Sequence, residues 1–107
     1  DLYPPFTMLV RLLCQAKDEQ TARGISAGIY ARVEQLMEEN PGWKRRVLFY
    51  REDEAPIRRI MGRARAQVFL KLLVHPDSEQ VLAALQEIAK QDWPGEVALE
   101  IDPASMA

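Results

Sequence analysis

From Arg63 to Leu72 apolar and polar residues alternate with period two. In an extended chain Ala64, Ala66, Val68, Leu70 and Leu72 point to one side, and Arg63, Arg65, Gln67, Phe69 and Lys71 to the other. The first set predicts a core face. The second sets three cations, an amide and a ring in a row, a surface suited to holding phosphates and stacking a base, or to gripping an acidic peptide tail. Arg58 and Arg59 precede Gly62, whose freedom marks a bend or bulge that brings their charges near the same sheet.

The same pattern divides the rest of the chain. Phe6 to Lys17 predicts a first strand, with Met8, Val10, Leu12, Cys14 and Ala16 sharing a face. Asp18 is placed to cap a helix running to about Asn40. Its stripe is Ala22, Ile25, Ile29, Val33, Leu36 and Met37. Gly24 and Gly28 interrupt that helix, and close approach to the sheet is the expected compensation for their poor helix propensity. Pro41-Gly42 ends it.

Trp43 to Arg51 predicts a second strand, with Val47 and Phe49 on one side and Leu48 and Tyr50 on the other. An acidic loop from Glu52 to Pro56 follows, then a short strand at Ile57 to Ile60 returning into a long one from Arg63 to Val74. Asp77 begins a second helix, Gln80 is placed for a capping box, and Val81, Leu82, Leu85, Ile88 and Ala89 form the apolar face. Val97, Leu99 and Ile101 alternate in a last strand, which Pro103 ends. Tyr3-Pro4-Pro5 reads as a stiff lead-in. The order predicts an α+β domain, a split βαβ arrangement with four antiparallel strands, a short hairpin strand, and both helices on one face.

Composition changes this picture little. The 107 residues suit one domain, and neither a repeat nor a low-complexity tract appears. No apolar run approaches the roughly 20 residues of a membrane span, so no membrane partner is expected. One cysteine excludes an internal disulfide and fits a reducing compartment. The opening Asp1-Leu2-Tyr3, with neither Met nor a signal segment, predicts a piece of a longer cytoplasmic polypeptide. Charge matters more. Net charge is -2, yet residues 43–71 hold nine Lys or Arg against three acids, a local +6, and the remainder sums to -8. Local potential rather than total charge steers a partner.

Several familiar chemistries are missing. The chain has no Gly-x-x-x-x-Gly-Lys-Ser/Thr loop for nucleotide hydrolysis and no cysteine cluster for zinc, so no catalytic or metal-ligating residue is assigned. Cys14 falls on a predicted core face, and His75 precedes a turn proline. Asp102 closes the last strand, and Trp43 is expected to pack rather than stack.

Tyr3-Pro4-Pro5-Phe6, Ala55-Pro56-Ile57, Gly62-Arg63-Ala64-Arg65-Ala66-Gln67 with an apolar strand ending in Lys71, and Ile101-Asp102-Pro103 form an ordered set over nearly the whole chain. In this it resembles the C-terminal domain of the PriA family, the bacterial primosomal replication-restart helicases (primosomal protein N′). The resemblance implies that residues 1–107 are one domain of a larger helicase, ferredoxin-like in the manner of a small-subunit ribosomal protein and docked on the helicase core. It implies binding of forked and single-stranded DNA, and a share in a pocket for the acidic tail of the single-stranded-DNA-binding protein. The family's tail-contacting positions fall on Arg63 and Gln67. ATP, magnesium and zinc would belong to other domains, leaving this one without a cofactor. The chain departs from the family at Ala64 and Ala66, where aromatics are usual, at Glu52-Asp53-Glu54 in place of a Gly-Pro, and at Ala107.

Arg58, Arg59, Arg63, Arg65, Phe69 and Lys71 are therefore the expected DNA contacts, and Arg63 and Gln67 the tail contacts. Two other readings stand beside this one. The open face packs on the helicase core through the same arginines, or the domain is a small ligand sensor or enzyme of the same fold. Against the last, Lys17-Asp18-Glu19 lacks the glycines and cations that cradle an anion.

Overall fold

The computed structural model describes residues 6–53 and 57–102. Strand β1 (Thr7–Ala16) leads into helix α1 (Glu19–Glu39), then β2 (Val47–Glu52), β3 (Arg58–Ile60), β4 (Arg63–Leu73), helix α2 (Ser78–Ala89) and β5 (Glu96–Asp102). All pairings are antiparallel in the order β2-β4-β1-β5, with β3 also on β4. This is the ferredoxin-like α+β fold, with one added hairpin strand. The expected lead-in at residues 3–5 and the stop at Pro103 lie outside the described residues.

The period-two pattern of β4 becomes two faces. Ala64, Val68, Leu70 and Leu72 meet Val10, Leu12, Cys14 and Ala16 of β1 and lie under both helices. Ala22, Ile25, Ile29, Val33 and Met37 of α1 and Val81, Leu85 and Ile88 of α2 close that core. Each large apolar side chain buried there contributes about 1.5–3 kcal/mol relative to exposure. Asp18 caps α1, its Oδ1 accepting from Thr21 N–H at 2.8 Å.

Five local expectations change. Residues Pro41–Arg45 form a 3-10 turn instead of the start of β2, and Trp43 packs from it against the core. A register shift between Val47 and Phe49 puts Val47 and Tyr50 together opposite Leu72 and Leu70, so Phe49 joins the other face. Tyr50 then meets Tyr30 of α1 with ring centroids 5.5 Å apart. Glu52 belongs to β2 rather than to a loop, and its Oε1 accepts from the buried Ser26 hydroxyl at 2.9 Å.

The glycines of α1 also serve other ends. Gly24 has open space around it, and a Cβ on Gly28 would sit 2.9 Å from the Trp93 ring, so neither brings α1 to the sheet. The Trp93 Nε1–H donates to Ile88 O at 2.8 Å, which fixes the ring against that glycine. At α2 no capping box forms. Asp77 turns its carboxylate to Arg46, 3.2 Å away, and Ser78 donates its hydroxyl to Leu73 O at 2.6 Å.

β3 and β4 are joined by Met61-Gly62, both at positive φ (53° and 79°), a two-residue turn that matches hairpin twist. That turn settles which side of β4 each β3 residue takes.

Candidate binding face

The face opposite the helices is built from odd-numbered residues of β1 and β4. Among the described residues no helix covers it. Strand pairing arranges it in rows. One row runs Glu100, Arg11, Phe69, Arg51; the next Ala98, Leu13, Gln67; the next Glu96, Gln15, Arg65, Arg58. Beyond these Arg63 pairs with Ile60, and at the far end Lys71 lies between Leu9 and Phe49.

The β4 edge is covered in two pieces. β2 pairs with Val68 to Leu72 and β3 with Arg63 to Arg65, while Asp53 N–H donates to Gln67 O at 2.9 Å. Where the pieces meet, the surface sinks into a hollow of about 430 Å³. Arg58, Arg65, Gln67 and Phe69 line it with Ile57 and Ile60; Arg11 and the two acids Asp53 and Glu100 also contribute. Leu13, 8% exposed, supplies an apolar surface within it. A second hollow of about 350 Å³ between α1 and α2 sets Arg32 against Glu39 and Glu87 beside Leu36 and Ile88, and so offers no cationic cluster.

The expected site residues divide into three groups. Arg58 and Arg65 oppose each other in register and, among the described residues, make neither an ion pair nor a side-chain hydrogen bond; Arg65 Nε is buried without an acceptor. Two guanidinium groups so placed repel each other, a cost that an anion between them removes. Arg63 and Gln67 are engaged within the chain. Arg63 reaches Glu96 at 3.2 Å and Gln15 O at 3.4 Å, and Gln67 Nε2 donates to Asp53 Oδ2 at 2.8 Å. Arg59 pairs with Ala64, so it lies on the helix side, donating to Lys17 O and Gly62 O at 3.4 and 3.2 Å.

Lys71 shares the open face but is six residues, or about 20 Å, from Arg65 along the strand. Phe69 sits between them, flanked in register by Arg11 and Arg51, and Arg51 leans over Phe49 at 5.4 Å.

Sequence reasoning missed Arg11, Ile57, Ile60, Glu96 and Glu100. Arg11 occupies the one cationic position in the apolar first strand, which is a usable signal. The β5 acids gave none, because only register sets them beside Arg11 and Arg63. Those contacts are Arg11 to Glu100 at 3.7 Å, Arg11 to Asp102 at 3.9 Å, and Arg63 to Glu96.

Burial pushes the Cys14 thiol up to about 12, with Glu52 adding to the effect, so this sulfur is no nucleophile. Tyr50 is also raised, mainly by burial. Among the described residues no three His, Cys, Asp or Glu side chains gather as a metal site, and no helix is long and apolar enough to cross a membrane.

No family model matches this chain, and no curated protein does. Among solved structures it is similar to the de novo designed protein Foldit4, 20% identical over 89% of this chain and 94% of that one, with a TM-score of 0.45. It is similar also to the de novo designed protein Ferredog-Diesel, 14% identical over 94% and 90% of the two chains, with a TM-score of 0.44.

Proposed function

We propose that this chain is a partner-docking module that holds a short acidic peptide on its open sheet face. The observation that carries this reading is the opposed pair Arg58 and Arg65, unpartnered among the described residues, at a hollow that also presents Ile57, Ile60 and Leu13. A carboxylate between the two guanidinium groups gains charge-assisted hydrogen bonds and removes their repulsion. Ile57, Ile60 and Leu13 then offer apolar surface to a neighbouring side chain of the peptide. Gln67 is the adjacent amide, released to the peptide if it leaves Asp53.

This reading agrees with what the resemblance to PriA-type replication-restart helicases implies, namely capture of the acidic tail of the single-stranded-DNA-binding protein. It shifts the principal contact to Arg58 and Arg65 and leaves Arg63 a lesser part. In such a helicase the module would sit on the core of its own chain, in a bacterial cytoplasm, without catalytic residues or a cofactor of its own. Contact with forked or single-stranded DNA is the second reading. Phe69 between Arg11 and Arg51, with Lys71 further along β4, favours it as a ring for a base with cations beside it.

A titration of a labelled acidic peptide with an apolar C-terminal residue, read by fluorescence anisotropy, tests the proposal. Saturable binding that weakens at least tenfold in the Arg58→Ala/Arg65→Ala double variant supports it. Absent binding, or binding indifferent to both arginines while single-stranded DNA binds with a steep salt dependence, overturns it in favour of the DNA reading.

A further inference from the structure

Of the open-face cations, Arg51 and Lys71 lie along the far half of the β2–β4 pairing, and the remaining four fall into two sets that β5 divides. Glu96 and Glu100 occupy alternate positions of that strand and so point to the open face, opposite Gln15 and Arg11. Glu96 takes Arg63 at 3.2 Å, and Glu100, helped by Asp102, takes Arg11 at 3.7 Å. Arg58 and Arg65, farther from β5, are left unpaired among the described residues. β4 lies two strand spacings, about 10 Å, from β5, close to the Debye length at physiological salt. The acids therefore still act on any charge that extends along β4.

We propose that Glu96 and Glu100 set the selectivity of this face: by occupying Arg63 and Arg11 they leave a two-arginine site that accepts one compact carboxylate and disfavours an extended phosphate chain. The proposal rests on the docking reading above and adds what the site rejects. The Glu96 and Glu100 carboxylates are more than half exposed, and such ion pairs contribute little to folding. Their removal leaves the fold in place and changes only what the face attracts. A peptide carboxylate between Arg58 and Arg65 is at least two strand spacings from β5, and Glu100, although it also lines the hollow, stands in the row of Phe69 rather than that of Arg65. A nucleic-acid strand crossing from β4 towards β1 meets both.

The test compares Glu96→Gln/Glu100→Gln with Glu34→Gln/Glu79→Gln, which makes the same change in net charge, from -2 to 0, on the helix layer. Each variant and the unaltered chain are titrated with a single-stranded oligonucleotide over a salt series, and with the acidic peptide. Each phosphate contact adds about -0.7 to the slope of log affinity against log salt, so releasing one or both of Arg63 and Arg11 steepens it by about 0.7 to 1.4. The proposal expects that steepening in the β5 variant alone, with DNA affinity at low salt raised about 3- to 10-fold. Peptide affinity, relieved of the Glu100 charge in the hollow, should rise by less than DNA affinity does, and the unfolding midpoint should stay nearly unchanged.

Equal gains in both variants mean that overall charge is at work, and overturn the proposal. So does an unchanged slope, or an unchanged slope with new self-association, which would make the acids guards of an exposed strand edge. Identical DNA behaviour of the two variants leaves the docking reading standing if the unaltered chain binds peptide. No peptide binding by the unaltered chain refutes that reading, and with it the carboxylate half of this proposal.

Discussion

Replacing Arg58 by glutamate should raise stability while weakening ligand capture. In the native sheet Arg58 and Arg65 are directly opposed. Side chains in that relation have Cβ atoms about 4.5–5.5 Å apart, and each favourable or unfavourable charge pairing is worth roughly 0.2–1 kcal/mol. Arg58→Glu turns a repulsive pair into an attractive one. Because Arg58 is exposed and solvent screens it, the expected gain is about 0.5–1 kcal/mol rather than the full swing. For a domain near this size that raises the unfolding midpoint by about 2–6 °C. The same change removes one of the two guanidinium groups facing a bound carboxylate. Loss of a hydrogen bond to a charged group, about 1.5–3 kcal/mol, weakens the peptide roughly 10- to 100-fold. Thermal unfolding at 20 mM and 1 M salt is the assay, with Arg58→Gln as the intermediate. The stabilisation should fade at high salt. An unchanged or lowered midpoint at low salt refutes the claim that the two arginines repel, and removes the reason for an anion between them.

Three further outcomes follow from the packing. Gly24→Ala should stabilise by about 0.5–1 kcal/mol through helix propensity, because no atom lies within 4 Å of the new methyl, whereas Gly28→Ala meets the Trp93 ring at 2.9 Å and should stabilise less or destabilise; urea unfolding separates them. Met61, 96% exposed at φ 53°, gives up left-handed strain and little burial on Met61→Asn, so the hairpin variant should gain about 0.5–1 kcal/mol in the same experiment. For Cys14 the folded pKa of about 12 lies above the ordinary thiol value of 9.0, so its contribution to stability is complete below pH 9 and is lost as pH rises towards 12. Alkylation at pH 8.5 should accordingly be negligible in the native protein and rapid in urea.

The layering of the fold was legible because its cause is local. Even-numbered apolar residues on β1 and β4 and the three-and-four spacing on α1 each require burial on one side, and the helices can supply it on only one face. The cationic row on β4 was legible for the same reason. What failed depends on register. Val47-Leu48-Phe49-Tyr50 is apolar throughout, so alternation cannot say which pair faces inward, and the bulge decided it. Arg58 and Arg59 are equivalent until the Met61-Gly62 turn sets Arg58 opposite Arg65 and Arg59 opposite Ala64. The engagement of Arg63 by Glu96 joins residues 33 positions apart, and Gly28 faces Trp93 across 65. Such pairings arise from the assembled sheet and helices, and no window of sequence contains them.

The central claim, that an acidic peptide binds beside Arg58 and Arg65, is tested most directly by following backbone and arginine side-chain NMR signals during a peptide titration, with C-terminally amidated peptide as control. The account predicts shifts at Arg58, Ile60, Arg65 and Gln67 that saturate together, and weaker binding once the terminal carboxylate is amidated. Shifts centred instead on Leu36 and Ile88 between the helices, or spread evenly without saturation, would contradict it.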